Sequence, residues 1–222
     1  MKKLFVAATA AVALAASASA ASATTFTGSY STSYQQSDPG LVLQVSDLTP
    51  GAGTGFSFDL AGQGSTAQVN LFHLWTNEAS VDGDDFGTKP ITVAFNFTAP
   101  STFGGSVSGD TGGAWGLVLF KGFYQDGYVN WDNNGNTLLN FGNGGELLVH
   151  LDDAIFNKGG TSLFNSHLNP GETGAATITA DFTLMKSPVP EPMSWALMLT
   201  GFFGMGASMR ASRRQRGLFT AA

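Results

Sequence analysis

Apolar and polar residues alternate with period two through most of this chain, and its middle carries no long helical spacing. Ile91, Val93, Phe95 and Phe97 fall on one face, with Thr92, Ala94, Asn96 and Thr98 on the other. These inner positions are β-branched or aromatic, so a half-buried antiparallel strand is predicted there. Gly55 to Leu60 alternates in the same way. So do Leu147, Val149 and Leu151 against Glu146, Leu148 and His150. Near the end of this region Ile178, Ala180, Phe182 and Leu184 oppose Thr177, Thr179, Asp181 and Thr183. Between Gln68 and Thr76 the alternation puts Val69, Leu71, His73 and Trp75 together, with Asn70, Phe72, Leu74 and Thr76 opposite. Shorter strands are predicted at 41–45, 115–120, 128–131 and 137–141. Turn-forming residues divide them, as in Thr49-Pro50-Gly51-Ala52-Gly53-Thr54, Gly142-Asn143-Gly144-Gly145 and Asn169-Pro170-Gly171. Short strands at this rhythm predict an all-β fold, a two-sheet antiparallel β-sandwich that is jelly-roll-like, with a closed barrel as the alternative.

The two ends follow other rules. Met1-Lys2-Lys3 is a short positive segment, Leu4 to Ala16 is apolar, and Ala18-Ser19-Ala20 and Ala21-Ser22-Ala23 are small-x-small sites. That order predicts a secretory signal peptide over 1–23, cleaved after Ala23 or Ala20. At the other end, Pro190-Glu191-Pro192 is held extended by its prolines. Trp195 then opens an apolar run to Met209, followed by Arg210, Arg213, Arg214 and Arg216. An indole suits a membrane–water boundary, and the arginines act as a stop-transfer signal. The run is short against the ~20 residues of a permanent span.

Pro190-Glu191-Pro192-x-x-Trp195-Ala196, then Met198-Leu199, Gly201-Phe202-Phe203-Gly204 and the arginines, resembles the PEP-CTERM sorting signal, closest to its PEPxxWA variant in Gram-negative proteobacteria. Phe203 departs from the usual Gly-Phe-Gly of that variant. The resemblance covers roughly 189–216. It implies handling by an exosortase, a membrane-embedded transpeptidase, and a transient inner-membrane precursor held by the C-terminal hydrophobic helix. The chain then divides into a signal peptide (1–23), a secreted domain (24–187) and a sorting signal (188–216). Phe141 to Phe156 and Ala176 to Leu184 are also similar to segments of other PEP-CTERM domains, without catalytic residues.

Charge changes the picture once the ends are set aside. The formal charge is −6, from 16 acidic and 10 basic residues. Lys2, Lys3 and the four arginines belong to the ends, which leaves −12 on the part up to Pro192. Such a domain is repelled by nucleic acid and by anionic membranes. The chain has no cysteine, so disulfides, thiol catalysis and thiolate metal sites are excluded within it.

Candidate chemistry is sparse. Asp82-Gly83-Asp84-Asp85 is the densest acidic stretch and offers hard oxygen ligands for Ca²⁺, although consecutive carboxylates are not expected all to face one ion. A solvated loop is the plainer expectation. Asp132-Asn133-Asn134-Gly135-Asn136 reads as a hairpin turn. Asp152-Asp153 reads as a cap on the short segment Ala154-Ile155-Phe156. His73, His150 and His167 have no metal-binding or catalytic spacing. Phe123, Tyr124, Tyr128 and Trp131 bracket Gln125-Asp126-Gly127, read here as a loop, and could form an exposed platform that stacks sugar rings. The alternative is that the rings are core. The functional expectation is a secreted or cell-surface, non-enzymatic protein with a structural or interaction role in the exopolysaccharide or biofilm matrix. The alternative is a carbohydrate-binding module for exopolysaccharide, and a glycan hydrolase comes third.

Overall fold

The computed structural model of the protein describes residues 23–48, 54–163, 166–188, 196–206 and 210. Its strands are β1 (Thr24–Ser33), β2 (Leu43–Asp47), β3 (Gly55–Leu60), β4 (Thr66–Thr76), β5 (Lys89–Ala99), β6 (Phe103–Val118), β7 (Gly122–Trp131), β8 (Asn136–Phe141), β9 (Gly145–Leu151), β10 (Ala154–Phe156) and β11 (Ala176–Lys186). They form two antiparallel curled sheets, one ordered β10-β7-β6-β5-β1-β3 and the other β2-β4-β11-β9-β8.

The sheets face each other across a phenylalanine-rich core. Phe182 of β11 stacks on Phe58 of β3 with ring centroids 4.6 Å apart. Phe141 of β8 meets Phe26 of β1 edge-on at 5.2 Å. Offset and edge-to-face pairs of this kind add to what burial alone provides. The predicted inner residues of β5, β9 and β11 are all buried, so period two located the core there correctly.

Several elements differ from the sequence expectation. β1 was not anticipated because serine and threonine dominate it, yet Phe26, Gly28 and Tyr30 point inward. At Gly28 a Cβ would lie 2.6 Å from the Asn96 carbonyl and 3.2 Å from the Phe56 ring. The first half of β6 carries little apolar signal because glycine holds inward positions: Gly105 faces Leu139 of the other sheet, whose Cδ2 would be 2.3 Å from a Cβ. In β4 the predicted faces hold only in part. Residues 178 and 179 of β11 pair with Phe72 and Asn70, so Leu71 is an extra residue and the alternation changes phase there. Leu71 and Phe72 are both buried, and His73 and Trp75 move to the outer side.

Three loop assignments are corrected. Gln125, Asp126 and Gly127 are not a loop but the buried middle of β7. Ala154–Phe156 is a strand paired with β7, so Asp152 and Asp153 cap no helix. Asp132–Gly135 is a 3₁₀ turn that carries the chain from β7 in one sheet to β8 in the other, not a hairpin. Its Gly135 has φ +70° and sits where a Cβ would meet the Leu151 carbonyl at 1.8 Å.

At the C-terminus a helix covers 196–206, with every side chain exposed. No helix among the described residues is long and apolar enough to cross a membrane. The expected signal peptide lies outside the described residues apart from Ala23, as do Pro190, Glu191, Pro192, Trp195, Arg213, Arg214, Arg216 and most of the turn at 49–54.

Candidate functional site

The densest polar feature lies where the loop between β4 and β5 folds back against the loop before β2. The turn at 83–86 winds the chain so tightly that one oxygen from each of Asp82, Asp84 and Asp85 falls within 4.8 Å of the others. The three carboxylates are thus close enough together that they could hold a metal ion. Asp85 is 1% exposed, so this is not simply a solvated loop. Each carboxylate commits one oxygen to a backbone donor. Asp82 N–H donates to Asp85 Oδ2 (2.9 Å) and Gly40 N–H to Asp84 Oδ2 (2.8 Å). Asp84 N–H donates to Asp82 Oδ1 at 3.3 Å. The carboxylates also engage one another, Asp82 with Asp84 and Asp85 with Glu78.

Glu78 and Asp38 extend the cluster along an open cleft of about 480 Å³, lined also by Val42, Asn77, Ala79, Ser80 and Asp82. Glu78 Oε1 accepts the Val42 N–H at 2.6 Å. Burial pushes the Glu78 carboxyl up to about 7, the Val42 hydrogen bond opposes this, and Asp85 and Asp38 add to the rise. Asp82 and Asp84 are shifted in opposite directions. The hydrogen bond between them raises Asp82 and lowers Asp84, which the Gly40 N–H and the Lys89 charge also hold down.

The four aromatics do not form a platform. Successive β7 residues alternate sides, so Phe123 and Trp131 share the inner side while Tyr124 and Tyr128 share the outer. Trp131 is 4% exposed, its N–H donates to Asp153 Oδ1 (2.6 Å), and its indole N–H donates to the Asp152 carbonyl (3.0 Å). It is a core residue with both donors satisfied. The Tyr124 ring lies over Gly116, with the Lys158 ammonium 4.1 Å from its centroid, so a cation already stands by that ring. Asp126, between the tyrosines, is buried, and burial raises its carboxyl against the lowering effect of Lys158.

The histidines do not converge. His73 Nδ1 pairs with Glu172 at 3.2 Å and His150 Nε2 with Asp152 at 3.0 Å. On the shared neighbour β11 they lie opposite Thr177 and Asp181, on its two different sides. That is ~13 Å apart along the strand before the width of the sheet is added.

Two residues unmarked in the sequence organise the loops at this end. Asn157 is fully buried: Oδ1 accepts the Thr76 N–H at 2.7 Å, and Nδ2 donates to the carbonyls of Asn169 (2.5 Å) and Gly171 (2.9 Å). Gln125 likewise takes the Val81 N–H (2.6 Å) and donates to the Ser166 carbonyl (3.1 Å). A lone amide in a strand-rich sequence carries no periodic signal, so neither could be found from spacing. Compared with known proteins, the chain matches no family model, no curated protein and no solved structure.

Proposed function

We propose that this chain is an exported, non-enzymatic protein of the cell surface or extracellular matrix, with a jelly-roll-like sandwich delivered by an exosortase acting on its C-terminal signal. The observation that carries this reading is where the tail attaches. β11, the last strand before the tail, is the middle strand of its sheet and pairs with β4 on one side and β9 on the other. A domain held by this end is gripped through its core, which suits tethering and display. The exposed helix at 196–206, with no charge along it, fits a segment made for a membrane or an enzyme and not for the sandwich.

Ca²⁺ is the ion that fits the carboxylates of Asp82, Asp84 and Asp85, because it accepts hard oxygens in a loosely defined shell of six to eight. An ion there would pin the 82–85 turn to the loop at Gly40. Exopolysaccharide remains the expected surrounding, but the four aromatics offer no shared stacking surface, since Trp131 is core.

The test of delivery is Glu191→Ala in the native host. Full-length protein is expected to accumulate in the membrane, while wild-type protein outside the cell ends before the arginines. Exported wild-type protein whose mass still includes Arg213 and Arg214 would rule out processing.

A further inference from the structure

The β6–β7 hairpin runs well past the body of the fold. β5 pairs with β6 only as far as Thr111, while β7 accompanies β6 to Val118. Beyond the Gly113 N–H, which donates to the Asp85 carbonyl at 2.9 Å, the outer edge of β6 has no backbone partner among the described residues, and only the half-exposed Phe86 ring stands by it, 6.3 Å from the Trp115 ring. Backbone groups alternate sides along a strand. Since Gly113 faces the open side, so do the N–H and C=O of Trp115 and Leu117, while Ala114, Gly116 and Val118 face β7.

This open edge is apolar. No charged residue occurs between Asp110 and Lys121. Trp115 (55% exposed), Leu117 (60%), Leu119 (75%), Phe120 (101%), Phe123 (43%) and Leu163 (62%) all expose much of their surface to solvent. Leu117 and Phe123 are cross-strand partners, and Ser162, beside Leu163, bridges to Phe123. An aromatic side chain alone buries ~150–250 Å², so the five on β6, its turn and β7 offer on the order of 600 Å². That is at the top of the ~300–600 Å² range for the largest patch of a typical monomer and is most of the ~800 Å² that each partner contributes to a standard interface; Leu163 lies across β7 from the open edge.

We propose that β6 pairs antiparallel with β6 of a second copy, about a two-fold axis at Gly116, so that two sheets join edge to edge. The strand is its own complement. With Gly116 opposite Gly116, Trp115 lies opposite Leu117 of the other copy, and the four open residues exchange both hydrogen bonds in each pair. Gly116 then occupies the close, non-hydrogen-bonded position, where Cα atoms approach to about 4.5 Å. The strand itself carries no charge between Asp110 and Lys121, which matters for a domain of net −11 over residues 24–187.

A lipid surface is the competing occupant, and two observations weigh against it. Hydrocarbon cannot satisfy the open N–H and C=O groups. The tip also lies far from the membrane-directed tail. Pro188 packs by Gly142, whose N–H donates to Ser101 Oγ beside the start of β6, and from there β6 runs roughly 50 Å to its tip.

The experiment uses the full chain in detergent micelles, by sedimentation across a concentration series. Wild-type protein is expected to dimerise, and Leu117→Lys to weaken association at least tenfold while leaving the melting temperature unchanged. The chain has no native cysteine, so Leu117→Cys carries a single thiol. The two thiols across the axis would lie at diagonal positions about 7–8 Å apart, within reach of a short bis-thiol reagent. Cross-linking is expected for Leu117→Cys and not for Leu138→Cys, which is exposed on β8. If Leu117→Lys fails to fold, the cysteine pair decides the matter. A monomer at every concentration, a dimer indifferent to Leu117→Lys and not cross-linked at 117, or a monomer whose binding to uncharged phosphatidylcholine vesicles is lost in Leu117→Lys would each overturn the proposal.

Discussion

Replacing Glu78 by Gln tests the electrostatics of the carboxylate cleft with little disturbance to its shape. The amide keeps the Oε1 that accepts the Val42 N–H at 2.6 Å and removes the charge that Asp85 and Asp38 oppose. The folded carboxyl titrates at about 7 against an ordinary 4.5. Between these values the folded state holds a proton that the unfolded state has lost. Stability therefore falls as pH rises through this window and stays low above it. At ~1.4 kcal/mol per unit the shift sets a ceiling of roughly 3 kcal/mol for a fully buried group. Glu78 is only half-buried, and solvent screening reduces this to about 1 kcal/mol. For a chain of this size that is roughly 2–4 °C in melting temperature. The assay is paired thermal unfolding of wild type and Glu78→Gln from pH 4.5 to 8, with chelator present. The variant should gain on the wild type as pH rises, reaching its full advantage near pH 8. The raised Asp126 carboxyl acts in the same direction in both proteins and cancels in the difference. A difference that stays constant from pH 5 to 8 would refute the titration assigned to Glu78. Millimolar Ca²⁺ should stabilise the wild type most at the upper end of this range, where the carboxylates are charged.

Trp131→Ala should cost about 3–5 kcal/mol, since it empties a core site and strands the Asp152 carbonyl that accepted the indole N–H; chemical denaturation measures this, and a loss below about 1 kcal/mol would contradict the core assignment. Asn157→Ala leaves the Thr76 N–H without an acceptor and the Asn169 and Gly171 carbonyls without that donor, at about 1–3 kcal/mol for each group left unpaired. Amide hydrogen exchange should show Thr76 losing protection first, and unchanged protection there would show that another group replaces the side chain.

The sequence by itself determined the fold class, because in β5, β9 and β11 one face is buried and the other is not, and period two records that difference directly. The expectation of a signal peptide, a domain and a sorting motif in that order rests on local composition alone, which the packing of the sandwich does not touch. Tertiary structure decided what local pattern cannot hold. The glycines of β1 and β6 leave no apolar signature, because the rings and side chains that fill their space come from Phe56 and Leu139, distant in sequence. The bulge at Leu71 reversed the faces of β4, an effect set by pairing with β11. Trp131 and Tyr128 look equivalent in the chain, but strand parity sends one into the core and the other to the outer face. The 82–85 carboxylates converge because the turn between them is tight and Gly40, reached through a separate loop, donates to Asp84. The open edge of β6 exists only because β5 stops at Lys89 while β7 continues, a mismatch of strand lengths that neither strand reveals alone.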